Sequence, residues 1–365
     1  MITYYDESIL SYVASIRDYF GLSSSYKPNQ KLSDYIKTRK PSKVFLLLID
    51  GMGANLIENK LDKDSFLRKN MFCKTKTVFP SSTVPATTSI RNGKSPNENA
   101  WLGWMQYIKE IDDTIIPFLG VGYYNEKEYG RSLMFNLIPT ITTVEQLNAK
   151  AIKARELFPA FMEDGCKDLE TMCSRLIDYS KSDEYKYIYA YWDEFDQCMH
   201  DNGPNSRESV AYLKRINSLI DNLASSLSDD TLLIVTADHG QVEVKEECNL
   251  YNSKFDKYFI RKPSLEFRAM TFFIKDGMQD EFETEFKKEF EDSFVLFNHK
   301  QVLEMQLFGQ GNNHPRFEEF FGDFIAVGKS NTVLAYKENE EDILKGQHGG
   351  MCNDEMYVPI ITYQK

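Results

Sequence analysis

Three apolar runs, each followed by acidic or imidazole side chains, constrain the fold of this chain more than any other feature of its sequence. The runs are 43–49 before Asp50, 187–192 before Asp193, and 231–237 before Asp238 and His239. Apolar runs of this length are typical of buried strands in a sheet that carries hydrophobic side chains on both faces. Because open α/β sheets bind their ligands beyond the carboxyl ends of the strands, the runs predict one polar, metal-binding site.

The pattern around these runs predicts an α/β fold with three regions. From residue 43, strand runs alternate with segments of helical period, which is typical of a sheet flanked by helices. We expect a helical N-terminal wrap over 1–42, a catalytic α/β domain over 43–250 and 346–365, and a small α+β insertion over 251–345.

Local signals predict a long helix and, in the insertion, a hairpin. Asn205 is the expected N-cap of the helix, in which apolar residues from Leu213 to Leu227 recur at intervals of three and four. The strand-like segments 323–327 and 332–336 are separated by a short polar turn, so we expect them to pair as a hairpin.

Charge and composition limit the class of partner. The net charge of −12 disfavours a nucleic-acid polymer, because phosphate contacts require a basic surface. The sequence has no signal-peptide pattern and no apolar run of membrane-spanning length. Its 6 cysteines include no CxxC pair, which favours reduced thiols over a disulfide framework. We therefore expect a cytoplasmic enzyme with a small substrate, whose oligomeric state the sequence leaves open.

Further polar residues are candidates for the predicted site. Asp196 and His200 would lie on one face of a helical turn and could share a metal, although a charged helix start gives the same pattern. In segment 79–89, hydroxyl side chains precede or open a segment whose Pro85 suits the first turn of a helix. Hydroxyls at a helix N-terminus lie in an anion-binding environment, and the alternative is a simple helix cap.

Together these segments resemble the alkaline phosphatase superfamily, and most closely its type I phosphodiesterase/nucleotide pyrophosphatase branch. The resemblance covers most of residues 43–362 and rests on five motifs in the family's order. They are Asp50-Gly51, Pro80-Ser-Ser-Thr83-Val-Pro85, the stretch from Asp196 through His200 to Pro204, Asp238-His239-Gly240, and His348-Gly349. The resemblance implies an alkaline-phosphatase-like sheet flanked by helices, with a small α+β insertion as a cap.

The resemblance also implies a hydrolase of phosphate esters with two divalent metal ions. The implied metal is Zn²⁺, with Mn²⁺ as the alternative. The implied ligands are Asp196, His200 and His348 for one ion, and Asp50, Asp238 and His239 with Thr83 for the other. Thr83 is the implied nucleophile, which would form a phosphothreonine intermediate that water then hydrolyses. Three carboxylate charges against four metal charges would leave the site cationic, so it would attract a small phosphorylated substrate such as a nucleotide.

One position departs from the family's pattern. Nucleotide pyrophosphatases carry an Asn after the nucleophile helix, and the matching residue here is Trp104, with Asn99 or Asn97 as possible substitutes. Trp104 and Asn99 are therefore the expected substrate-binding residues. Because this departure affects the substrate pocket, a phosphomonoesterase or phosphonate hydrolase of the same superfamily stays open as an alternative, as does a non-catalytic protein that binds a phosphorylated ligand.

Two other relatives fit the motifs less well. A sulfatase is disfavoured, because the segment from Thr83 to Thr87 lacks the Cys/Ser-x-Pro-x-Arg pattern of those enzymes. Phosphoglycerate mutases share the Asp-Gly-x-Gly pattern found from Asp50 to Gly53, but they carry a far longer insertion. Their manganese chemistry is a minor alternative.

Overall fold

The computed structural model describes residues 5–338 and 344–365, and its main element is a six-stranded mixed sheet. The strands are β1 (Lys43–Ile49), β2 (Met71–Lys76), β3 (Gln106–Ile108), β4 (Asp113–Ile116), β5 (Val121–Gly122), β6 (Ala154–Leu157), β7 (Tyr187–Trp192), β8 (Thr231–Thr236), β9 (Val242–Glu243), β10 (Glu246–Asn249), β11 (Ser264–Glu266), β12 (Ala269–Phe272), β13 (Phe294–Asn298), β14 (Phe324–Gly328), β15 (Thr332–Ala335), β16 (Gly346–Gln347) and β17 (Tyr357–Tyr363).

Helices flank the sheets and connect many of the strands. They are α1 (Ile9–Tyr19), α2 (Gln30–Arg39), α3 (Ala54–Lys60), α4 (Phe66–Lys69), α5 (Thr83–Asn92), α6 (Pro96–Asn99), α7 (Ser132–Leu137), α8 (Thr143–Ala149), α9 (Leu169–Ser180), α10 (Glu194–Asn202), α11 (Arg207–Ser226), α12 (Gln279–Phe290), α13 (His299–Glu304) and α14 (Asn353–Met356). Within the described ranges, none of the helices combines the length and the apolar character that a membrane crossing requires.

The main sheet places the predicted polar strand ends side by side. Its strand order is β2-β17-β8-β1-β7-β6, and β1 runs parallel to both of its neighbours, β7 and β8. Leu48 is level with Thr236, so Asp50 and Asp238 follow their strands at the same height. Neighbouring strands lie about 4.8 Å apart, which brings these two carboxylates together.

The main core packs around this sheet. Every residue of β1, β7 and β8 is buried, as expected for strands covered on both faces. The N-terminal helices α1 and α2 contribute Ile9, Val13 and Leu32 to the same apolar cluster, so part of the predicted N-terminal wrap belongs to the main core. The α/β fold expected from the sequence is confirmed, whereas the domain boundaries and the cytoplasmic location stay predictions.

The insertion contains the four-stranded antiparallel sheet β11-β12-β14-β13. The predicted hairpin of 323–327 and 332–336 is wrong. Strand β14 pairs with β12 on one edge and β13 on the other, so neither edge is left for β15. Strand β15 instead pairs in parallel with β10, in a separate two-stranded sheet.

A second apolar cluster joins the insertion to an earlier part of the chain. Its buried residues include Trp101, Ile115 and Met134 from segment 100–138, together with Leu265 and Ile325 from the insertion. The backbones of Met105 and Leu265 also hydrogen-bond to each other. The insertion therefore shares its core with residues that lie far before it in the sequence.

Helix α11 begins one residue later than the sequence predicts. Its N-cap is Ser206, whose Oγ accepts a hydrogen bond from the backbone N–H of Ser209 at 3.0 Å. The prediction of Asn205 as the cap is wrong: Asn205 lies before the cap residue, and its side-chain Nδ2 donates to Glu243 at 2.8 Å. Both residue types are good caps, so tertiary contacts decide between them.

Candidate active site

Asp50 and Asp238 form the floor of the site, at the ends of β1 and β8. Asp238 Oδ1 accepts hydrogen bonds from the backbone N–H groups of Gly51 at 3.2 Å and of His239 at 3.0 Å. Gly51 has a φ of +71°, and a Cβ there would lie 2.7 Å from Asp196 Oδ1. The Asp-Gly pair at the end of β1 therefore combines a carboxylate with a turn that only glycine fits.

Asp196 and His200 lie on one face of α10, four residues apart. Asp196 Oδ2 lies 2.9 Å from His200 Nε2, and His200 Nδ1 lies 2.8 Å from the carbonyl oxygen of Gly346. Gln241 also donates from Nε2 to Asp196 Oδ1. The helical spacing read from the sequence thus brings the two side chains into direct contact. Gln241 and the Gly346 carbonyl group fix the orientation of these two side chains.

His348 reaches the site from the loop after β16. Its Nδ1 lies 3.2 Å from the carbonyl oxygen of Ser81, and its ring stacks on that of His239 with centroids 3.8 Å apart. Glu355 accepts a hydrogen bond from Gly350 N at 2.9 Å and so fixes the same loop. This loop and the segment before α5 therefore close the site from one side.

Thr83 is the first residue of α5 and faces these side chains. Its Oγ1 lies 3.2 Å from His239 Nε2 and 3.5 Å from Asp50 Oδ2. Ser82 is the N-cap residue, and its side chain makes no capping hydrogen bond. The Thr83 hydroxyl and the N-terminal end of α5 therefore lie beside Asp50 and His239, and the positive helix end favours an anion such as a phosphoryl group.

Within the described residues, two groups of side chains could each hold a metal ion, with ligand atoms that all lie within 4.8 Å of one another. They are Asp50, Asp238 and His239, and Asp196, His239 and His348. The first group is the set expected for one ion, apart from Thr83. In the second, His239 occupies the place expected for His200. All six predicted acidic and imidazole ligands thus lie in one cluster.

The donor set fits a divalent cation. Asp50 Oδ1 and Asp238 Oδ2 are buried oxygens without a hydrogen-bond partner in the part of the chain that the structure describes. His239 Nε2 lies 3.3 Å from the first oxygen and 3.6 Å from the second, without a hydrogen bond to either. Buried carboxylate oxygens are normally paired, so these two are available to a cation. Carboxylate and imidazole ligands together are what catalytic Zn²⁺ and related ions bind.

Electrostatics lead to the same conclusion. Burial, and then repulsion from Asp238 and Asp196, raises the pKa of Asp50 well above its ordinary value. Burial also raises the pKa of Asp238, despite the opposing effect of His239. Burial and the neighbouring His239 hold the pKa of His348 well below its ordinary value, which keeps the ring neutral and able to bind a metal.

Asp196 and His200 behave in the opposite way, because they form an ion pair. Burial acts to raise the pKa of Asp196, but the charge and hydrogen bond of His200 outweigh it and lower that pKa. Burial likewise opposes protonation of His200, yet Asp196 raises its pKa to about 8. A metal bound to this pair would have to displace the proton shared between them.

A cavity of about 360 Å³ opens beside the cluster. Trp104 forms part of its wall, whereas Asn99 does not line it. The Asn99 amide donates to Ser89 Oγ at 3.2 Å and to the carbonyl oxygen of Lys94 at 3.3 Å. Of the two expected substrate-binding residues, only Trp104 is therefore placed where it could touch a substrate.

Three residues of the site were not singled out from the sequence. Tyr191 donates from its hydroxyl to Asp50 Oδ2, Gln241 donates to Asp196, and Glu266 lines the cavity and accepts from Trp104 N at 2.7 Å. A buried acid in strand β11 and a tyrosine next to the last residue of strand β7 are unusual enough to have been signals. Gln241 carries no comparable signal beyond following the Asp-His-Gly motif.

The family model of type I phosphodiesterases/nucleotide pyrophosphatases matches residues 121–351, more than half of the chain. This stretch contains every predicted metal ligand except Asp50 and Thr83, which precede it. The matched residues therefore include the candidate ligands from α10, from the end of β8 and from the loop after β16.

Two curated relatives align with short parts of the chain. The catalytic subunit of human GPI ethanolamine phosphate transferase 3 is 31% identical over 87 residues, which are 23% of this chain and 8% of that protein. The mouse protein of the same name is 26% identical over 130 residues, which are 30% of this chain and 12% of that protein. The chain thus spans only a small fraction of the length of these relatives.

Solved structures share the fold over most of the chain. Murine ectonucleotide pyrophosphatase/phosphodiesterase 5 has a TM-score of 0.66 and 14% identity, with 88% of each chain covered. An inactive threonine-to-alanine variant of that protein, in complex with AMP, has the same values. Phosphonoacetate hydrolase from Sinorhizobium meliloti 1021, in complex with phosphonoformate, has a TM-score of 0.65 and 14% identity, covering 88% of this chain and 90% of that one.

The sequence match and the structural likeness agree with the arrangement of the site. The family model covers most of the candidate ligands, and the structural neighbours are a nucleotide pyrophosphatase/phosphodiesterase and a phosphonate hydrolase. The buried carboxylate and imidazole clusters are groups that could hold metal ions. The chain therefore belongs to the type I phosphodiesterase/nucleotide pyrophosphatase family of the alkaline phosphatase superfamily, whose members are metal-dependent phosphoester hydrolases.

Proposed function

We propose that this chain hydrolyses small phosphodiesters, with nucleotides as the leading substrate class, through attack of Thr83 on phosphorus. The observation that carries the proposal is the position of Thr83 Oγ1, 3.2 Å from His239 Nε2 at the start of α5. The attack would form a phosphothreonine, which water then hydrolyses. The inactive threonine-to-alanine variant of the murine neighbour supports a catalytic threonine in this fold.

Two divalent ions, Zn²⁺ in our proposal, would be held by the acidic and imidazole cluster. Asp50, Asp238 and His239 would hold one, and Asp196, His200 and His348 the other, with Thr83 as an added ligand of the first. Bound ions of this kind lower the pKa of a hydroxyl and stabilise charge on phosphate oxygens. The protein's own contribution is to orient the Thr83 hydroxyl and to direct the N-terminus of α5 at the phosphoryl group.

The lining of the cavity favours a diester over a monoester. A monoester dianion calls for an additional cation, yet the described residues that line the cavity include neither arginine nor lysine. Arg91, on the nucleophile helix, is paired with Glu156 at 2.7 Å instead. A diester carries one negative charge on its phosphate, which the proposed ions would neutralise.

A second candidate substrate is a phosphodiester of an amino alcohol such as ethanolamine. The curated relatives named as ethanolamine phosphate transferases motivate it. The cavity wall supports it, because the carboxyl group of Asp193 lies there together with the aromatic rings of Trp104 and Phe267. Carboxylates and aromatic faces both attract an ammonium group.

The decisive assay compares bis(p-nitrophenyl) phosphate with p-nitrophenyl phosphate in the presence of Zn²⁺. We expect the diester to be preferred, Thr83→Ala to lose activity by about 10³-fold or more, and Thr83→Ser to retain part of it. Undiminished turnover by Thr83→Ala would rule out Thr83 as the nucleophile. Preference for the monoester would overturn the diester proposal. If the diester is preferred, turnover of a nucleotide diester compared with that of glycerophosphoethanolamine separates the two candidate substrates.

Metal content provides a separate test of the ligands. We expect Asp238→Asn and His348→Ala to bind less Zn²⁺ at equilibrium, whereas Asp201→Asn, an exposed acid on α10, should bind as much as the unaltered protein. Full zinc stoichiometry in both ligand variants would refute the assignment.

A further inference from the structure

A second and larger cavity lies at the far end of α5. It encloses about 620 Å³ and is bounded by the C-terminus of α5, the loop after α1 and the segment 139–141. It shares no lining residue with the cavity beside Thr83. Helix α5 has 10 residues, so at about 1.5 Å per residue its two ends are roughly 14 Å apart.

Arg17 is a buried cation in the wall of this cavity. It is only 4% exposed, and no carboxylate of the described residues lies within 4.0 Å of its guanidinium. Its N–H groups donate to Thr143 Oγ1, Gln146 Oε1, Ser24 Oγ and the carbonyl oxygen of Ser23. These acceptors are all neutral, so the positive charge of Arg17 has no anionic partner there.

The end of α5 compensates only part of that charge. A Cβ at Gly93 would lie 2.7 Å from Arg17 Cδ and 2.8 Å from Nε, so the side chain of Arg17 packs directly on the helix C-terminus. A helix C-terminus carries the equivalent of about half a negative charge. The remainder of the Arg17 charge is not balanced by any carboxylate within 4.0 Å in the described part of the chain.

Asn92 adds a buried donor without an acceptor. It is 3% exposed and lines the cavity, and its Oδ1 accepts a hydrogen bond from Lys94 N at 2.8 Å. Its Nδ2 has no hydrogen-bond partner among the residues that the structure describes. Buried amide donors are normally satisfied, so this one points to an acceptor that a ligand would supply.

The rest of the lining is also rich in donors. His314 accepts from Arg316 N on Nδ1 at 3.2 Å, and burial together with nearby Arg316 and Lys94 lowers its pKa, so the neutral ring carries its proton on Nε2. Glu98 is the one acidic residue in the described lining. Its Oε2 accepts from the neutral donors Ser95 N and Ser95 Oγ, and its negative charge is outnumbered by the charges of Arg17 and Lys94 in the same lining.

We propose that this cavity is a second binding site, separate from the candidate active site, for the phosphate group of a small molecule. Buried Arg17, the unpartnered amide of Asn92 and the exposed Lys94 all line the cavity, and groups of these kinds bind oxyanions. The volume is in the range of small-molecule sites and exceeds what a bare phosphate needs. The site does not depend on Thr83 being the nucleophile.

Isothermal titration calorimetry of the metal-loaded chain with methylenebisphosphonate, a non-hydrolysable probe, tests the site. Asn92→Asp keeps the oxygen that accepts from Lys94 N but places a carboxylate where the free donor was. We expect two binding events in the unaltered chain, with one of them weakened at least 10-fold by Asn92→Asp and by Arg17→Gln. The same event should persist in Asp238→Asn, which impairs the candidate active site.

Asn222→Asp, an identical change on an exposed position of α11, is the matched control and should leave both events intact. Thermal unfolding and diester turnover check that Asn92→Asp is folded even if Arg17→Gln is not. A single binding event that Asp238→Asn abolishes and folded Asn92→Asp leaves unchanged would overturn the proposal.

Discussion

Asp50 Oδ1 and Asp238 Oδ2 are buried oxygens without a hydrogen-bond partner among the described residues, and they lie at the ends of adjacent strands. Two such carboxylates repel each other when ionised, so the site stores charge that only a bound cation or a proton can relieve. The remaining Asp50 oxygen accepts from the Tyr191 hydroxyl. Residues next to the candidate ligands should therefore influence how strongly the cluster binds a metal ion.

Tyr191→Phe should weaken metal binding by about 10- to 100-fold, because it removes the hydrogen bond that orients Asp50. Tyr189→Phe is the matched control, since Tyr189 lies on the same strand and its buried hydroxyl has no partner in the described chain. Competition with a zinc chelator of known affinity measures both variants. Equal affinities in Tyr191→Phe and Tyr189→Phe would contradict this role for Tyr191.

Glu266 should make folding stability depend on pH. Burial raises its pKa from 4.5 to about 8, so the folded chain holds a proton there that the unfolded chain releases. The free energy of unfolding should therefore fall as pH rises from about 4.5 to 8. Glu266→Gln should flatten this fall and be more stable than the unaltered chain at pH 8, by on the order of 3 kcal/mol.

Urea unfolding at both ends of that pH range, with the same metal loading, gives the comparison. Parallel pH profiles for Glu266→Gln and the unaltered chain would show that folding does not raise the pKa of Glu266.

Among the elements, the insertion and the loop that carries His348 are joined by one buried ion pair. Arg268 Nε lies 2.6 Å from Glu355 Oε1, and both side chains are fully buried. Glu355 also accepts from Gly350 N and Cys352 N, so it links the turn between β11 and β12 to the loop after His348. The position of a candidate metal ligand therefore depends on a contact with the insertion.

Glu355→Gln should destabilise the fold by about 3–5 kcal/mol, because Arg268 would keep a buried and uncompensated charge. Glu283→Gln removes an exposed pair with Lys287 on α12 and should cost at most about 0.5 kcal/mol. Urea unfolding measures both free energies. A loss no greater than that of the exposed control would mean that the buried pair contributes nothing.

At the scale of the whole molecule, binding of metal should be coupled to global stability. The carboxylates and imidazoles come from β1, β8, α10 and the loop after β16, so one cluster links elements from distant parts of the chain. Removal of Zn²⁺ with a chelator should lower the melting temperature. At a free zinc concentration 100-fold above the dissociation constant of a site, the ion bound at that site adds about 2.7 kcal/mol to the free energy of unfolding.

Differential scanning calorimetry over a zinc series checks this coupling. A melting temperature that is independent of zinc would exclude binding to the folded state. Asp201→Asn should follow the unaltered chain throughout the series, because this residue lies outside the cluster.

The sequence predicts the α/β fold and the grouping of Asp50, Asp238 and His239 because both depend on local patterns. Parallel strands bring their ends together, so residues that directly follow them must meet. The hairpin is mispredicted because β15 pairs with β10, which lies far away in the sequence. The cap of α11 is mispredicted because Asn205 contacts Glu243, which lies outside the helix. The cavity at Arg17 could not be predicted, since Arg17 and Asn92 are far apart in sequence and each looks ordinary alone.

The shared apolar cluster of segment 100–138 and the insertion has a consequence for biosynthesis. Trp101 and Met134 leave the ribosome more than a hundred residues before Leu265 and Ile325, which cover them in the finished protein. At about 5–20 residues per second, these surfaces stay uncovered for many seconds during translation. The nascent chain therefore exposes apolar surface that is prone to aggregation until the insertion has been synthesised. A chaperone that shields 100–138 should raise the yield of native protein.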